Sequence, residues 1–127
     1  MAPKLTSPIF EYEIPAGLAP GGVYTENLEL VSKTVGNYAP FNTLTVDNFS
    51  TKTLRVDYGA GHYVLVRGNS LVEIDQPGIR SFSVRNTDTT NPTDAVIMVY
   101  VQKRVTTEIA LESIVRRIPI EDLLEGR

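Results

Sequence analysis

In three segments between Thr43 and Arg85, apolar residues recur at every second position, and few patterns restrict a chain's choice of fold so tightly. Thr43-Leu44-Thr45-Val46-Asp47 alternates, as do Thr53-Leu54-Arg55-Val56-Asp57-Tyr58 and Ser81-Phe82-Ser83-Val84-Arg85. A period of two belongs to an extended strand with one buried and one wet face. It directs Leu44, Val46, Leu54, Val56, Phe82 and Val84 into a common core and turns the intervening threonines and arginines outward. Two segments are more continuously apolar, Tyr63-Val64-Leu65-Val66 and the run from Ala95 to Val101. Such runs fit strands covered on both faces or central in a sheet. The second is β-branched at Val96, Ile97, Val99 and Val101, which favours strand over helix.

Turn chemistry divides these segments. Gly59-Ala60-Gly61, Arg67-Gly68-Asn69-Ser70 and Gln76-Pro77-Gly78 are compact turn signals. Asn48 to Lys52 is a polar link, and Asn86 to Thr93 is a longer polar loop. Upstream, Phe10 to Ile14 and Thr25 to Val31 read as strands, joined by a Pro- and Gly-rich stretch from Pro15 to Gly22 that suits an extended connection or arm. After Thr107 the period changes: Leu111, Ile114, Val115 and Ile118 fall at helical spacing, and Pro119 stops the helix. The expected organisation is a single domain. Residues 1–22 form an extended N-terminal arm with a possible first strand, 23–105 a sandwich, and 106–127 a helical tail. Strands of this length at this spacing predict an all-β antiparallel two-sheet sandwich of about eight strands, with a short C-terminal amphipathic helix.

Composition narrows the chemistry. The 127 residues contain no cysteine, which excludes disulfides, thiolate metal sites and thiol nucleophiles. A net charge of −3 argues against a nucleic-acid partner, because nonspecific binding needs Lys and Arg to neutralise phosphates. No apolar run approaches the roughly 20 residues of a membrane span. Met1 to Pro8 lacks the apolar core of a signal peptide, so the expectation is synthesis in the cytoplasm and no membrane partner. The charge is unevenly spread. Residues 1–50 carry five acidic and two basic side chains, whereas 51–105 carry seven basic and five acidic ones. An acidic and a basic stretch on one small chain can meet between copies. Solvated faces are the bland alternative.

Catalytic constellations are sparse. The single histidine, His62, would need Ser70 or Ser81 beside it to act as a base toward a nucleophile, and neither serine lies in a nucleophile-elbow context. Asn86, Asp88, Asn91 and Asp94 share one loop, but their spacing matches no calcium loop, and Asx residues there are expected to build turns. Glu11/Glu13 and Glu73/Asp75 are carboxylates two apart on strands, expected on a solvated face. No glycine pattern cradles phosphate, and no cofactor is expected. Asn48-Phe49-Ser50 is a glycosylation sequon without a secretory context. Six tyrosines and no tryptophan leave carbohydrate recognition as an alternative, with Tyr58 and Tyr63 flanking the Gly59–Gly61 turn.

The succession Asn48 to Val56, then Val66 to Ile74 as a strand, turn and return, then Pro77 to Asn86, resembles small β-sandwich (jelly-roll-like) virion structural proteins of bacterial and archaeal viruses, of the capsid decoration and minor capsid type. The resemblance covers roughly residues 41–105 and rests on strand and turn patterns rather than a catalytic signature. It implies a non-enzymatic subunit located in the virion, oligomeric, and bound to itself and to a major capsid or other virion protein at a lattice or vertex. The expected contact residues are Glu11 and Glu13 against Arg55, Arg67, Arg80 and Arg85 of another copy, with Leu111, Ile114, Val115 and Ile118 packing on the same sandwich or on a neighbour. The alternative is a carbohydrate-binding or host-attachment module.

Overall fold

Residues 6–104 are described by a computed structural model, and their hydrogen bonding defines eight strands and one helical turn. The strands are β1 (Phe10–Ile14), β2 (Val23–Asn27), β3 (Phe41–Asn48), β4 (Leu54–Gly59), β5 (His62–Val66), β6 (Ser70–Ile79), β7 (Ser81–Asn86) and β8 (Ile97–Gln102), with α1 (Lys33–Gly36) between β2 and β3. One sheet, A, has the order β1-β8-β3-β6, and the other, B, the order β2-β7-β4-β5. Every pairing is antiparallel. The first strand pairs with the last, the second with the seventh, the third with the sixth and the fourth with the fifth. The chain is thus one long hairpin doubled back at the β4–β5 turn and rolled up. Only β4–β5 stay together in one sheet, and every other connection crosses between layers. That is the jelly-roll arrangement of an antiparallel sandwich.

The alternation predicted the core correctly. Leu44, Val46, Leu54, Val56, Phe82 and Val84 are all at most 1% exposed. Ile97, Val99 and Val101 join them from β8, which lies between β1 and β3 as a central strand. Aromatic side chains tie the two layers together. Tyr12 of sheet A and Tyr24 of sheet B both lie against Phe82, with ring centroids 5.7 and 6.2 Å away.

Four local expectations change. The strand read over Thr25 to Val31 ends at Asn27, because the Asn27 side chain accepts from the Glu29 N–H while its carbonyl accepts from Leu30 and Val31. This Asx turn swings Leu28 into the core and leads to Ser32, whose hydroxyl caps α1. Gln76-Pro77-Gly78 is not a turn between strands but a bulge within β6. Phe41 pairs with Ile79 and Thr43 with Asp75, which leaves two extra residues on the β6 side. Pro77, with no N–H to give, fits because β6 is a sheet edge, and Gly78 takes φ 82°. The real corner is Arg80, where the chain leaves sheet A for sheet B. Tyr63 to Val66 is neither central nor covered on both faces: β5 is the edge of sheet B, Val66 is buried, and Tyr63 and Leu65 are 52% and 54% exposed. Finally, the return from Val66 through Ser70 is an inter-sheet crossing rather than a hairpin, since β5 and β6 lie in different sheets.

Candidate interaction faces

With the core assigned, the remaining strand positions form the outer faces, and their chemistry differs sharply. On sheet A, one cross-strand row runs Glu11, Tyr100, Thr45, Glu73 and the next runs Glu13, Met98, Asp47, Leu71. Asp75 lies beside Thr43 one row further on, with their side chains 3.4 Å apart. Five carboxylates therefore share this face: Glu11, Glu13, Asp47, Glu73 and Asp75. Among the described residues the only ion pair there is Arg104 to Glu73, at 2.7 Å.

On sheet B, one row runs Val23, Arg85, Arg55, Leu65 and the next runs Thr25, Ser83, Asp57, Tyr63. Arg55 and Arg85 are direct cross-strand neighbours. The Arg55 guanidinium reaches Asp57 at 3.3 Å and lies over the Tyr63 ring, 4.0 Å from its centroid. Arg85 is exposed and has no acidic partner among the described residues. A shallow basin of about 620 Å³ opens over these side chains, bordered by Pro20 and Gly21 and by the adjoining Asn86, Thr87, Asp88 and Thr89, so that one acidic residue lies at its rim.

The walls are rigid for reasons visible in the loops. Buried Asn86 donates to the carbonyls of Leu18 and Asn91 and accepts from the Asp88 N–H, which ties the 15–22 stretch to the 86–93 loop. Thr93 accepts from the N–H groups of Gly17 and Leu18. Asp88 accepts from the backbone of Thr90 and Asn91 and from the Thr90 hydroxyl, and it pairs with Lys52 at 3.5 Å. These backbone donors hold its carboxyl down at about 2. Asp94 is lowered too, first by the Thr51 hydroxyl and then by the Thr51 N–H. Asp88 thus builds a turn and Asp94 clamps the loop to Thr51, and among the described residues no three His, Asp or Glu side chains are grouped to hold a metal.

The described positions among the predicted contacts fall in four places. Glu11 and Glu13 lie together on the outside of sheet A, and Arg55 and Arg85 together on the outside of sheet B. Arg67 is exposed just past β5, away from that row, and Arg80 at the β6–β7 corner pairs with Glu29 at 3.3 Å. Leu111, Ile114, Val115 and Ile118 lie outside the described residues. Sequence reasoning named Tyr63 only as a possible sugar platform and passed over Leu65, Asp47 and the shared face of Glu73 with Glu11. The alternation carries that information once β1, β3 and β6 are known to be in one sheet.

Other motifs resolve locally. His62 is exposed on the β4–β5 hairpin and stacks on Tyr58, with centroids 6.0 Å apart, while the Ser70 hydroxyl donates to the Gly68 carbonyl. Tyr58 packs against the core and Tyr63 faces outward, so the two tyrosines do not share a surface. Asn48 of the sequon is 1% exposed, with both ends of its amide engaged. No helix among the described residues is long and apolar enough to cross a membrane. Compared with known proteins, the chain matches no family model and no curated sequence.

Proposed function

We propose that this chain is a non-enzymatic assembly subunit that works through protein–protein contacts. The observation that carries the reading is the pair of outer faces of unlike charge on opposite layers of a sandwich whose interior is filled with apolar side chains. Catalytic sites are concave and gather convergent polar groups. Here the basin on sheet B is open and bordered by turn-forming loops, and the lone histidine stacks on a tyrosine at a hairpin. The setting we propose is a virion, with the chain as a capsid-associated decoration, minor capsid or vertex subunit bound to itself and to a shell protein. That part rests on the resemblance over residues 41–105 and on the use of jelly rolls in capsids, which is an argument by analogy at the level of fold.

Size-exclusion chromatography with light scattering, followed by electron microscopy of the native assembly, tests the proposal. A concentration-dependent oligomer or a subunit seated on a shell is expected. A strict monomer that binds no shell refutes it, and so does a specific glycan-array signal that disappears with Tyr63→Ala.

A further inference from the structure

The assembly reading leaves open which surface meets which, and the charges on the two sheets decide it. We infer that the Arg55–Arg85 basin on sheet B receives the acidic outer face of sheet A from a second copy, so that copies add head to tail. The inference rests on the assembly reading and specifies its partner.

Two features set the basin apart from an ordinary solvated face. Like charges directly opposite on neighbouring strands are destabilising, yet Arg55 and Arg85 are partners across β4 and β7. Asp57 offsets one guanidinium at 3.3 Å, and the other has no acidic partner among the described residues. Exposed apolar side chains flank the pair, with Leu65 and Val23 at the two ends of the row and Tyr63 in the next. Arginine and tyrosine set among apolar side chains are the composition of an interface centre rather than of a solvated rim.

The same molecule presents the complement. The outside of sheet A carries five carboxylates and, among the described residues, one cation paired with them, and it too has an exposed apolar element in Leu71, 58% exposed. Glu11 and Glu13 stand on β1, which is an edge strand among the described residues. Symmetry then limits the geometry. A two-fold interface through either face sets that face against itself, which turns the carboxylates of sheet A toward carboxylates and offers the sheet B arginines only Asp57 and Asp88 as acids. Only a heterologous contact brings unlike faces together. Because the faces lie on opposite layers, each added copy exposes a fresh basin or a fresh acidic face, and the product is a ring or an open stack.

Three proteins test this: the unaltered chain, Arg85→Glu, and the double variant Glu11→Gln with Glu13→Gln. All three positions are exposed strand sites outside the core. Light scattering and sedimentation are run at about 50 mM and about 500 mM salt, on either side of the range where charge contacts between exposed faces are screened. The unaltered chain is expected to assemble at low salt and to dissociate at high salt. Each variant alone should self-associate at least about tenfold more weakly, as expected for loss of a paired interfacial charge. Mixed together, the two variants should form one-to-one dimers that grow no further, since each retains the face the other lacks. The capped dimer also shows that both variants fold. Oligomers of the unaltered chain that neither variant weakens would overturn the head-to-tail contact and leave the assembly reading standing. So would variants that lose association and fail to cap each other. A chain that stays monomeric at low salt overturns self-stacking, and binding to a shell then separates that failure from failure of the assembly reading itself.

Discussion

Replacing Asn48 with alanine should be among the most damaging single changes to a polar residue in this protein. Asn48 ends β3 where the chain crosses from sheet A to sheet B, and it is 1% exposed. Its Nδ2 donates to the carbonyls of Lys52 at 2.7 Å and Arg67 at 3.1 Å, while its Oδ1 accepts from the Ser50 N–H at 3.0 Å and the Ser50 hydroxyl at 2.6 Å. One amide therefore holds two of the inter-sheet crossings, β3 to β4 and β5 to β6. A neutral hydrogen bond contributes about 1 kcal/mol net, and a stranded buried partner costs about 1–3 kcal/mol. The Ser50 hydroxyl also lies 3.5 Å from the Lys52 carbonyl and can turn to it, which recovers part of the loss. The expected cost of Asn48→Ala is about 3 kcal/mol, a large share of the roughly 5–15 kcal/mol that holds such a domain folded. Tm should fall by about 10 °C. Urea unfolding followed by circular dichroism, with an unchanged slope, is the assay. Asn48→Asp keeps the acceptor for Ser50 but sets a buried carboxylate against the Lys52 and Arg67 carbonyls. That raises its folded-state pKa above the unfolded value, so the variant should be weakest at neutral pH and recover as pH falls. A loss below about 0.5 kcal/mol for Asn48→Ala, within the scatter of surface substitutions, would refute the accounting.

Phe82→Ala removes the ring on which Tyr12 and Tyr24 converge from the two sheets, and it should cost about 3–5 kcal/mol by chemical denaturation, as large aromatic deletions from cores do. Tyr24, half-buried and bonded to Glu26 at 2.8 Å, has its phenol pushed up to about 12, first by burial and then by the Glu26 bond and charge. A raised folded-state pKa means its stabilisation is complete below the ordinary value of 10.0 and is lost as pH climbs from there toward 12. Absorbance titration of tyrosinate should show that late-ionising group. Glu26→Gln should move its midpoint down while burial keeps it above the ordinary value, and an unmoved midpoint would remove Glu26 as a cause.

Much of the fold was legible because strand alternation is a local property. Leu54 and Val56 are buried and Arg55 faces out whichever strand lies beside them, and β1 was readable to the residue from Phe10 to Ile14. The misreadings came where one side chain redirected the backbone or where position in the sheet mattered. Asn27 folded its own strand end into a turn, and β5 turned out to be an edge although its apolar run resembled a covered strand. Edge or centre is set by which distant segment pairs alongside, and no window of sequence contains that.

The candidate faces divide in the same way. The amino-acid order alone determined that Glu11 and Glu13 share a side of their strand, that Arg55 and Arg85 each point away from the core, and that the interior is apolar. Each follows from the two-residue repeat of an extended backbone. Only the tertiary structure decided that β4 and β7 are neighbours, which sets the two arginines side by side, and that β1, β3 and β6 join one sheet, which gathers their acids on the opposite layer. Those outcomes depend on pairings between residues dozens of positions apart. The rolled hairpin as a whole selects them, through the burial of both inner faces against each other.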